Sequence, residues 1–330
     1  MLIRYILRRL LIAIPTLLVI SLLVFLVIQL PPGNFLDYKI DQMKKEGQVD
    51  QAEISALRER YHFDQPILIR YVYWMRGFVT GDLGKSFETD AEVTDILAEL
   101  LPPTIAISFC ALLITWIVAF PFGIIAAVRR NTPWDYSLTF FGLVAMATPA
   151  FILALVFQVV MQYFSPTFDP TGLISQPYRD QPWSIGKTID LLMHLWVPVV
   201  ILGVAGTASM IRILRANLID ELKKQYVLCA MARGVHPAVA VLRYPLRVAI
   251  NPFISSIGLI LPALIGGSLI IEKVLGLPTL GPRLLQALQS QDVYLASSCV
   301  FIHCILAVVG ILVSDILLSI VDPRIRFGGK

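Results

Sequence analysis

The chain has 330 residues, of which 57% are hydrophobic and 15% are charged, and its mean hydropathy is +0.75. These values lie far outside the range of soluble globular proteins, so we predict a protein embedded in a lipid bilayer. The formal net charge of +4 is small, and the positions of the basic residues are therefore more informative than their number.

The first apolar run, residues 10–30, follows three arginines and ends at a Pro-Pro-Gly sequence. Its length of about 20 residues is enough to cross a membrane as a helix. The run lacks the small-residue cleavage site of a signal peptide, so we predict an uncleaved transmembrane helix. The basic residues Arg4, Arg8 and Arg9 are expected to hold the N-terminus on the inner side.

Five further apolar runs are long enough to cross the membrane, at 105–128, 138–164, 195–213, 249–271 and 296–321. A total of six transmembrane helices puts both termini on the same side. The positive-inside rule supports this topology, because basic residues cluster in the segments that fall on the side of the N-terminus. The predicted fold is therefore an all-α membrane protein with six transmembrane helices.

A sizeable outer region separates the first helix from the rest, and we divide the chain into 1–30, 31–99 and a five-helix core at 100–330. Within the outer region, Asp50 and Glu53 resemble a helix capping box. The aromatic stretch that follows is typical of an interfacial belt, with ligand stacking in an entry vestibule as the alternative. Its aromatic residues include Tyr71, Tyr73, Trp74 and Phe78.

Prolines and glycines recur within the predicted transmembrane helices. Kinks at Pro121 and Pro149 would either widen a central path or shape ordinary helices, and the second interpretation is favoured. The small size of glycine permits close helix packing, so we expect packing positions rather than hinges. These glycines are Gly203, Gly206, Gly258, Gly266 and Gly267.

The polar stretch 212–247 lies between two apolar runs and is too charged to face lipid. Residues 217–233 have helical composition, with Arg233 at the end and Gly234 placed to stop the helix. Pro237 then keeps the next helix from starting at once. Two short helices bent at Gly234 predict a compact knob on the membrane surface, suited to docking into a cleft of a partner.

The sequence Gln-Tyr-Val-x-x-Ala-x-Ala-x-Gly at 225–234 resembles the cytoplasmic loop of ABC importer permeases of the peptide/nickel type. In that family the loop holds the coupling helix, which sits in a groove of the ATP-hydrolysing subunit. This chain departs from the pattern, because Leu228 and Met231 stand at usually basic positions and Cys229 at a usual hydroxyl position. We therefore expect a more apolar contact. The residues that the resemblance implies for coupling to the ATPase are Lys224, Tyr226, Ala230, Ala232, Arg233 and Gly234.

The resemblance covers the whole chain, with further motifs at 61–66, 81–86, 276–294 and 321–326. The turn-rich segment 165–194 is expected to be a folded outer loop. With its neighbouring residues it resembles a subgroup of the family that contains oligosaccharide as well as peptide systems. The substrate class therefore stays open between these two.

Several kinds of chemistry have no candidate residues. The chain has no phosphate-binding Gly-x-x-x-x-Gly-Lys-Ser/Thr loop, so ATP and its Mg would be bound by partner subunits and no cofactor is expected here. No hydrolase or metalloprotease motif occurs, and the four cysteines form no CxxC pair. We therefore predict that the chain is not an enzyme and holds no metal.

Ionisable residues within a membrane are costly and are candidates for function, which directs attention to His303 and Asp315. A proton relay would use such groups, but they are sparse, and structural roles are favoured. We expect Asp315 near the inner interface and His303 hydrogen-bonded to a neighbouring helix. Glu272 and Lys273 are expected to be solvated at the outer interface.

Two hypotheses follow. The first is a permease subunit that forms half of the path of an ABC importer for oligopeptides or oligosaccharides, in the cytoplasmic (inner) membrane of a bacterium or archaeon, with both termini cytoplasmic. Its implied partners are a homologous second permease, two ATP-binding subunits, an extracytoplasmic solute-binding protein and membrane lipid, without nucleic acid. The alternative is a self-sufficient secondary transporter driven by an ion gradient, which the few intramembrane charges disfavour. The residues that line the path are not identified.

Overall fold

The computed structural model describes residues 2–29, 40, 65–165, 169–258 and 268–321. These residues are largely helical and contain no β-strand beyond an isolated bridge between Lys85 and Glu92. The all-α fold class is therefore confirmed for the described part of the chain. The helices are α1 Leu2–Ile28, α2 Ile67–Thr80, α3 Val93–Val128, α4 Pro133–Ala147, α5 Ala150–Phe164, α6 Gln176–Arg179, α7 Ile185–Leu222, α8 Gln225–Ala232, α9 Pro237–Arg243, α10 Pro245–Ala249, α11 Leu269–Val274, α12 Leu280–Gln289 and α13 Val293–Val321.

Within the described ranges, α1, α3, α7 and α13 are long and apolar enough to cross a membrane. The pair α4 and α5 qualifies as a fifth candidate if it is one broken span, although the two helices are bent by 95°. The structure thus differs from the single helix expected over 138–164. Thr148 is extended, with φ −85° and ψ 119°, because the ring of Pro149 disfavours helical backbone in the preceding residue. The run predicted at 249–271 is the fifth of the six in chain order. It includes 259–267, which lie outside the described residues, so this transmembrane helix stays a prediction.

The contacts within the chain divide it into two compact units. The first comprises 1–9, 105–277 and 307–330, and α3 and α7 contribute to both of its apolar clusters. Close packing at glycine is confirmed there, because a Cβ on Gly206 would lie 3.2 Å from the Oγ1 of Thr115 and one on Gly258 2.9 Å from the Cα of Ile311. A Cβ on Gly203 would also meet α3. Gly266 and Gly267 lie outside the described residues.

The second unit comprises 10–104 and 278–306, and an aromatic cluster lies in its core. Trp74 is 1% exposed, and its ring lies 5.4 Å from that of Phe25 and 5.6 Å from that of Phe301. Its indole N–H donates to the hydroxyl of Ser298 at 3.2 Å. The interpretation of residues 71–78 as an interfacial belt is therefore wrong for Trp74, whereas Tyr73 remains exposed.

The loop between α2 and α3 is held by the buried carboxylate of Asp292 in the same unit. The hydroxyl of Ser86 donates to it at 2.6 Å and the backbone N–H of Phe87 at 2.8 Å. The other carboxylate oxygen accepts from the N–H of Leu295 at 3.1 Å, which caps α13. Burial raises the pKa of the Asp292 carboxyl, and these hydrogen bonds act in the opposite direction. The motif at 81–86 is thus a structural turn within its unit.

The turn-rich segment after α5 is folded over its described residues, as expected. The hydroxyl and N–H of Ser175 both donate to Asp190, at 2.6 and 2.7 Å. The loop is shorter than predicted, because α7 begins at Ile185 and includes the residues up to 194. The capping box at 50–53, residues 61–64 and the motif after 321 lie outside the described residues.

The structure corrects the expectation for one charged residue near the predicted outer interface. Glu272 is 3% exposed and accepts a hydrogen bond from the hydroxyl of Ser268, one turn before it. Its neighbour Lys273 is exposed, as expected. Glu272 is buried because α11 packs this face toward the first apolar cluster, to which its neighbour Ile271 belongs.

Candidate functional site

The polar stretch 212–247 begins inside α7, which runs without interruption from Ile185 to Leu222. The helix expected over 217–233 is broken at 223–224, because Lys224 is extended with ψ 144°. The break allows the hydroxyl of Tyr226 to reach the carboxylate of Glu221 at 2.5 Å. Residues five apart lie on different faces of a continuous helix, so this bond requires the break. It fixes the direction in which α8 leaves α7.

The end of α8 confirms the predicted stop at Gly234. This residue has a φ of +80°, which is the left-handed conformation that glycine adopts without strain. The N–H of Val235 donates to the carbonyl of Ala230 at 3.2 Å and the N–H of Gly234 to that of Met231 at 2.9 Å, which together form a Schellman motif. The expectation that Pro237 delays the next helix is wrong, because Pro237 is the first residue of α9, a position that suits its fixed φ.

The two helices on either side of Gly234 form the knob, which we define as α8, the turn at 233–236 and α9. The inner face of α8 holds Val227 and Ala230, at 0% and 8% exposure. Of the residues predicted to couple to the ATPase, Ala230 is therefore directed toward the interior of its own unit. The others, all exposed, are Lys224, Tyr226, Ala232, Arg233 and Gly234.

The outer surface of the knob carries large apolar side chains. Leu228 is 57% exposed, Met231 37%, Val239 48% and Leu242 59%. These residues lie outside the helices that are candidates to cross the membrane, so contact with the lipid tails does not account for their exposure. Exposed apolar groups rimmed by basic residues are typical of a surface that binds another protein. This surface agrees with the more apolar contact predicted from Leu228 and Met231.

Apolar packing fixes the knob to the rest of its unit. Val241 in α9 and Leu246 in α10 are 7% and 9% exposed, and they join the cluster of Leu214, Leu218 and Phe253. The knob is therefore joined to α7 by a packed apolar core.

The environment of Tyr226 shifts its ionisation. Partial burial, together with the hydrogen bond to Glu221, raises the pKa of Tyr226 to about 12. The raised pKa keeps the phenol protonated below that pH, so it stays a hydrogen-bond donor at any physiological pH.

The sequence analysis did not predict an ion pair that connects α7, the helix that leads into the knob, with α4. Asp135, in the first turn of α4, is 2% exposed and is bound by both ends of the Arg215 guanidinium, Nε to Oδ1 at 2.6 Å and Nη2 to Oδ2 at 2.8 Å. The N–H of Asn131 also donates to this carboxylate at 3.0 Å. The available signal was an acidic residue at the start of an otherwise apolar helix. The sequence around Asp135 does not predict that Arg215 is its partner.

The two ionisable residues of the last predicted span have local partners. Asp315 makes an ion pair with Arg9 at 3.1 Å, which fits the structural role expected for it. The Nδ1 atom of His303 lies 2.8 Å from the carbonyl oxygen of Cys299, one turn earlier in the same helix. This contact lies within one helix, and the hydrogen bond expected to a neighbouring helix stays a prediction.

The fold resembles that of a chain in an inward-facing crystal structure of the MetNI methionine ABC transporter. The TM-score is 0.55, with 69% of this chain and 96% of that chain covered, at 16% sequence identity. At this identity the likeness shows the fold alone.

The sequence narrows the class further. Residues 119–327 match the family described as the binding-protein-dependent transport system inner membrane component, and residues 1–108 match the N-terminal family of the same membrane components. The chain therefore belongs to the family of binding-protein-dependent transport system inner membrane components.

Relatives of similar length support this assignment. The chain is 33% identical to a protein of Brucella suis biovar 1 that is named as a peptide permease, with 98% of this chain and 99% of the relative covered. It is 30% identical to the oligopeptide transport system permease protein AppB of Bacillus subtilis, with the same coverage. It is 28% identical to the corresponding protein OppB of Salmonella typhimurium, again with the same coverage. The resemblance to ABC importer permeases of the peptide type is confirmed.

Family membership has direct consequences. The chain is a multi-pass permease subunit of an ABC importer in the inner membrane, and it is not the catalytic subunit, because separate subunits hydrolyse ATP in this family. The alternative hypothesis of a self-sufficient ion-coupled carrier is thereby excluded.

Proposed function

We propose that this permease imports oligopeptides delivered by an extracytoplasmic solute-binding protein. The support comes from relatives named for oligopeptide transport, which match over 98% of the chain. Oligosaccharides are the second candidate, because the segment 165–194 resembles a subgroup that includes such systems.

The assembly that we propose contains a homologous second permease, two ATP-binding subunits and the solute-binding protein. This chain supplies half of the path, with six transmembrane helices, of which the fifth crosses at 249–271, and with both termini in the cytoplasm. The segments 1–30, 31–99 and 100–330 are then an inner segment with the first helix, an outer region and the core. ATP and Mg are held by the partners, and this chain binds no cofactor.

The knob is the proposed contact with an ATP-binding subunit. The observation that carries this proposal is the exposed apolar surface of Leu228, Met231, Val239 and Leu242, outside the candidate spans and on a turn fixed by Gly234. Closing of the ATP-binding subunits would move the knob, and the packed core would pass that movement to α7. The exposed Lys224 and Arg233 would add electrostatic contacts.

Mass spectrometry of the bound ligand tests the substrate class. The solute-binding protein that copurifies with this chain is isolated, and the molecules that it retains are identified. We expect peptides of several residues. Oligosaccharides in their place would contradict the peptide proposal and assign the system to the sugar subgroup, and the absence of any copurifying binding protein or ATPase would contradict the proposed assembly.

A further inference from the structure

Two helices of the first unit meet at two matched positions. On α4, Asp135 and Gly142 are seven residues apart, and on α7, Ala208 and Arg215 are also seven residues apart. Asp135 binds Arg215, and a Cβ on Gly142 would lie 3.9 Å from the Cβ of Ala208. Seven residues are two helical turns, about 10 Å, so one face of each helix follows the other in antiparallel direction. The contact is close because Gly142 and Ala208 are small.

The ion pair is the stronger of these two contacts. The guanidinium and the carboxylate make two parallel hydrogen bonds, at 2.6 and 2.8 Å, which fix orientation as well as distance. Asp135 is 2% exposed and Arg215 is 29% exposed on its side chain, so solvent screens the pair little. Removing Arg215 would leave the buried carboxylate of Asp135 without its counter-ion.

Each helix of this pair leads to a different part of the molecule. Arg215 lies seven residues before the end of α7, about 10 Å from the point where the chain turns into the knob. Asp135 lies in the first turn of α4, and α4 ends at the 95° bend before α5. The pair therefore connects the helix that carries the knob with the helix that leads into the bent pair.

We propose that Asp135 and Arg215 are a positioning pair that makes α4 follow α7 when the knob moves, so that ATP-driven movement reaches the α4–α5 bend. This inference rests on the proposed coupling role of the knob. Without the pair, α7 can move while α4 stays behind, and ATP hydrolysis loses its link to transport. Neither residue belongs to the knob, so we expect docking of the ATP-binding subunit to be preserved.

The test uses the assembled transporter in proteoliposomes, purified through a tag on this chain. Spin labels are placed on Arg247→Cys in α10, next to the knob in sequence but outside it, and on Val159→Cys in α5, with the native cysteines changed to serine. Their distance is measured with and without ATP, Mg and vanadate. Both labelled positions are exposed. In the parent protein we expect the distance to change on adding nucleotide. Absence of that change in the parent would contradict the proposed ATP-driven function itself.

In Asp135→Asn we expect ATP hydrolysis within about twofold of the parent, whereas the fraction of molecules in the nucleotide-induced distance falls about tenfold. The combination of preserved ATP hydrolysis and a lost distance change is the discriminating result, because a general structural defect of the transporter would lower both readings. Asp220→Asn is the matched control, because it removes an exposed pair with Lys223 at 3.4 Å on the same helix. Asp220→Asn should leave both ATP hydrolysis and the fraction of molecules at the nucleotide-induced distance unchanged.

A parent-like distance change in Asp135→Asn would overturn the inference. If that variant does not assemble, Arg215→Lys serves as the second variant, since it keeps the charge and loses the two parallel bonds. A reduced nucleotide-induced fraction with preserved ATP hydrolysis in Arg215→Lys supports the inference, and a parent-like fraction overturns it.

Discussion

Gly234 determines how the two short helices of the knob meet. Its φ of +80° costs a residue with a side chain about 1–2 kcal/mol, because Cβ then crowds the following carbonyl oxygen. A Cβ at this position would have no atom within 4 Å, so a substitution adds strain without a clash. Changes at Gly234 therefore test the exposed surface of the knob while the core of the unit stays intact.

Gly234→Asp is expected to reduce peptide uptake about tenfold or more while ATP hydrolysis continues. An unpaired charge in a protein interface costs about 2–5 kcal/mol, which weakens the contact with the ATP-binding subunit. Uptake of labelled peptide and release of phosphate are measured on the same proteoliposomes. Gly81→Asp is the control, because Gly81 also follows a helix, has a φ of +84° and has no neighbour within 4 Å. Undiminished uptake in Gly234→Asp would rule out a coupling role for the knob.

Among the elements, α3 and α7 make an especially close contact at Gly123. A Cβ on Gly123 would lie 2.9 Å from the Cδ2 of Leu214 and 3.0 Å from its Cβ. Leu214 is fully buried and cannot move aside freely. Overpacking of this kind costs about 1–3 kcal/mol. The contact between these helices is part of the core that supports the knob.

We expect Gly123→Ala to be about 1–3 kcal/mol less stable than Gly142→Ala. Both changes gain the same helix propensity, so the difference between them reports packing. Gly142 is suited as the reference because its Cβ would meet Ala208 at 3.9 Å, an ordinary contact distance. Thermal unfolding of the two variants in the same detergent measures the difference. Equal stability would mean that α3 and α7 can separate at Gly123 without cost.

For the whole molecule, the proposed topology depends on charge placement. Basic residues near the knob and at both termini fall on one side if six helices cross the membrane. The described residues supply four candidate spans, or five with the bent pair. The total of six transmembrane helices in the proposed topology depends on the run at 249–271. Chemical labelling of exposed residues can establish which segments lie on each side of the membrane.

Cys229 is exposed on the knob and should react with a membrane-impermeant maleimide only from the cytoplasmic side. We expect labelling in inverted vesicles stripped of peripheral subunits and none in intact spheroplasts. Glu92→Cys, placed on an exposed residue of the proposed outer region in a background without Cys229, should show the reverse pattern. Labelling of both sites from the same side would contradict the proposed topology.

The sequence by itself determined the class of fold, most of the helices and the stop at Gly234. These features depend on local physics, since a chain in lipid must satisfy its backbone hydrogen bonds within each helix and composition alone marks such segments. A glycine after a helical segment likewise signals its own left-handed turn. The position of this turn could therefore be predicted, but not which neighbouring residues face inward, as Val227 and Ala230 do.

The tertiary structure alone decided which distant residues meet. The pairing of Asp135 with Arg215, 80 residues apart, follows from the packing of α4 on α7 and has no local signature. The burial of Trp74 and Glu272 likewise depends on which faces the other helices cover. Side chains that look alike in sequence end in water, in lipid or in a core according to shape complementarity over the whole unit, and that property belongs to the assembled helices.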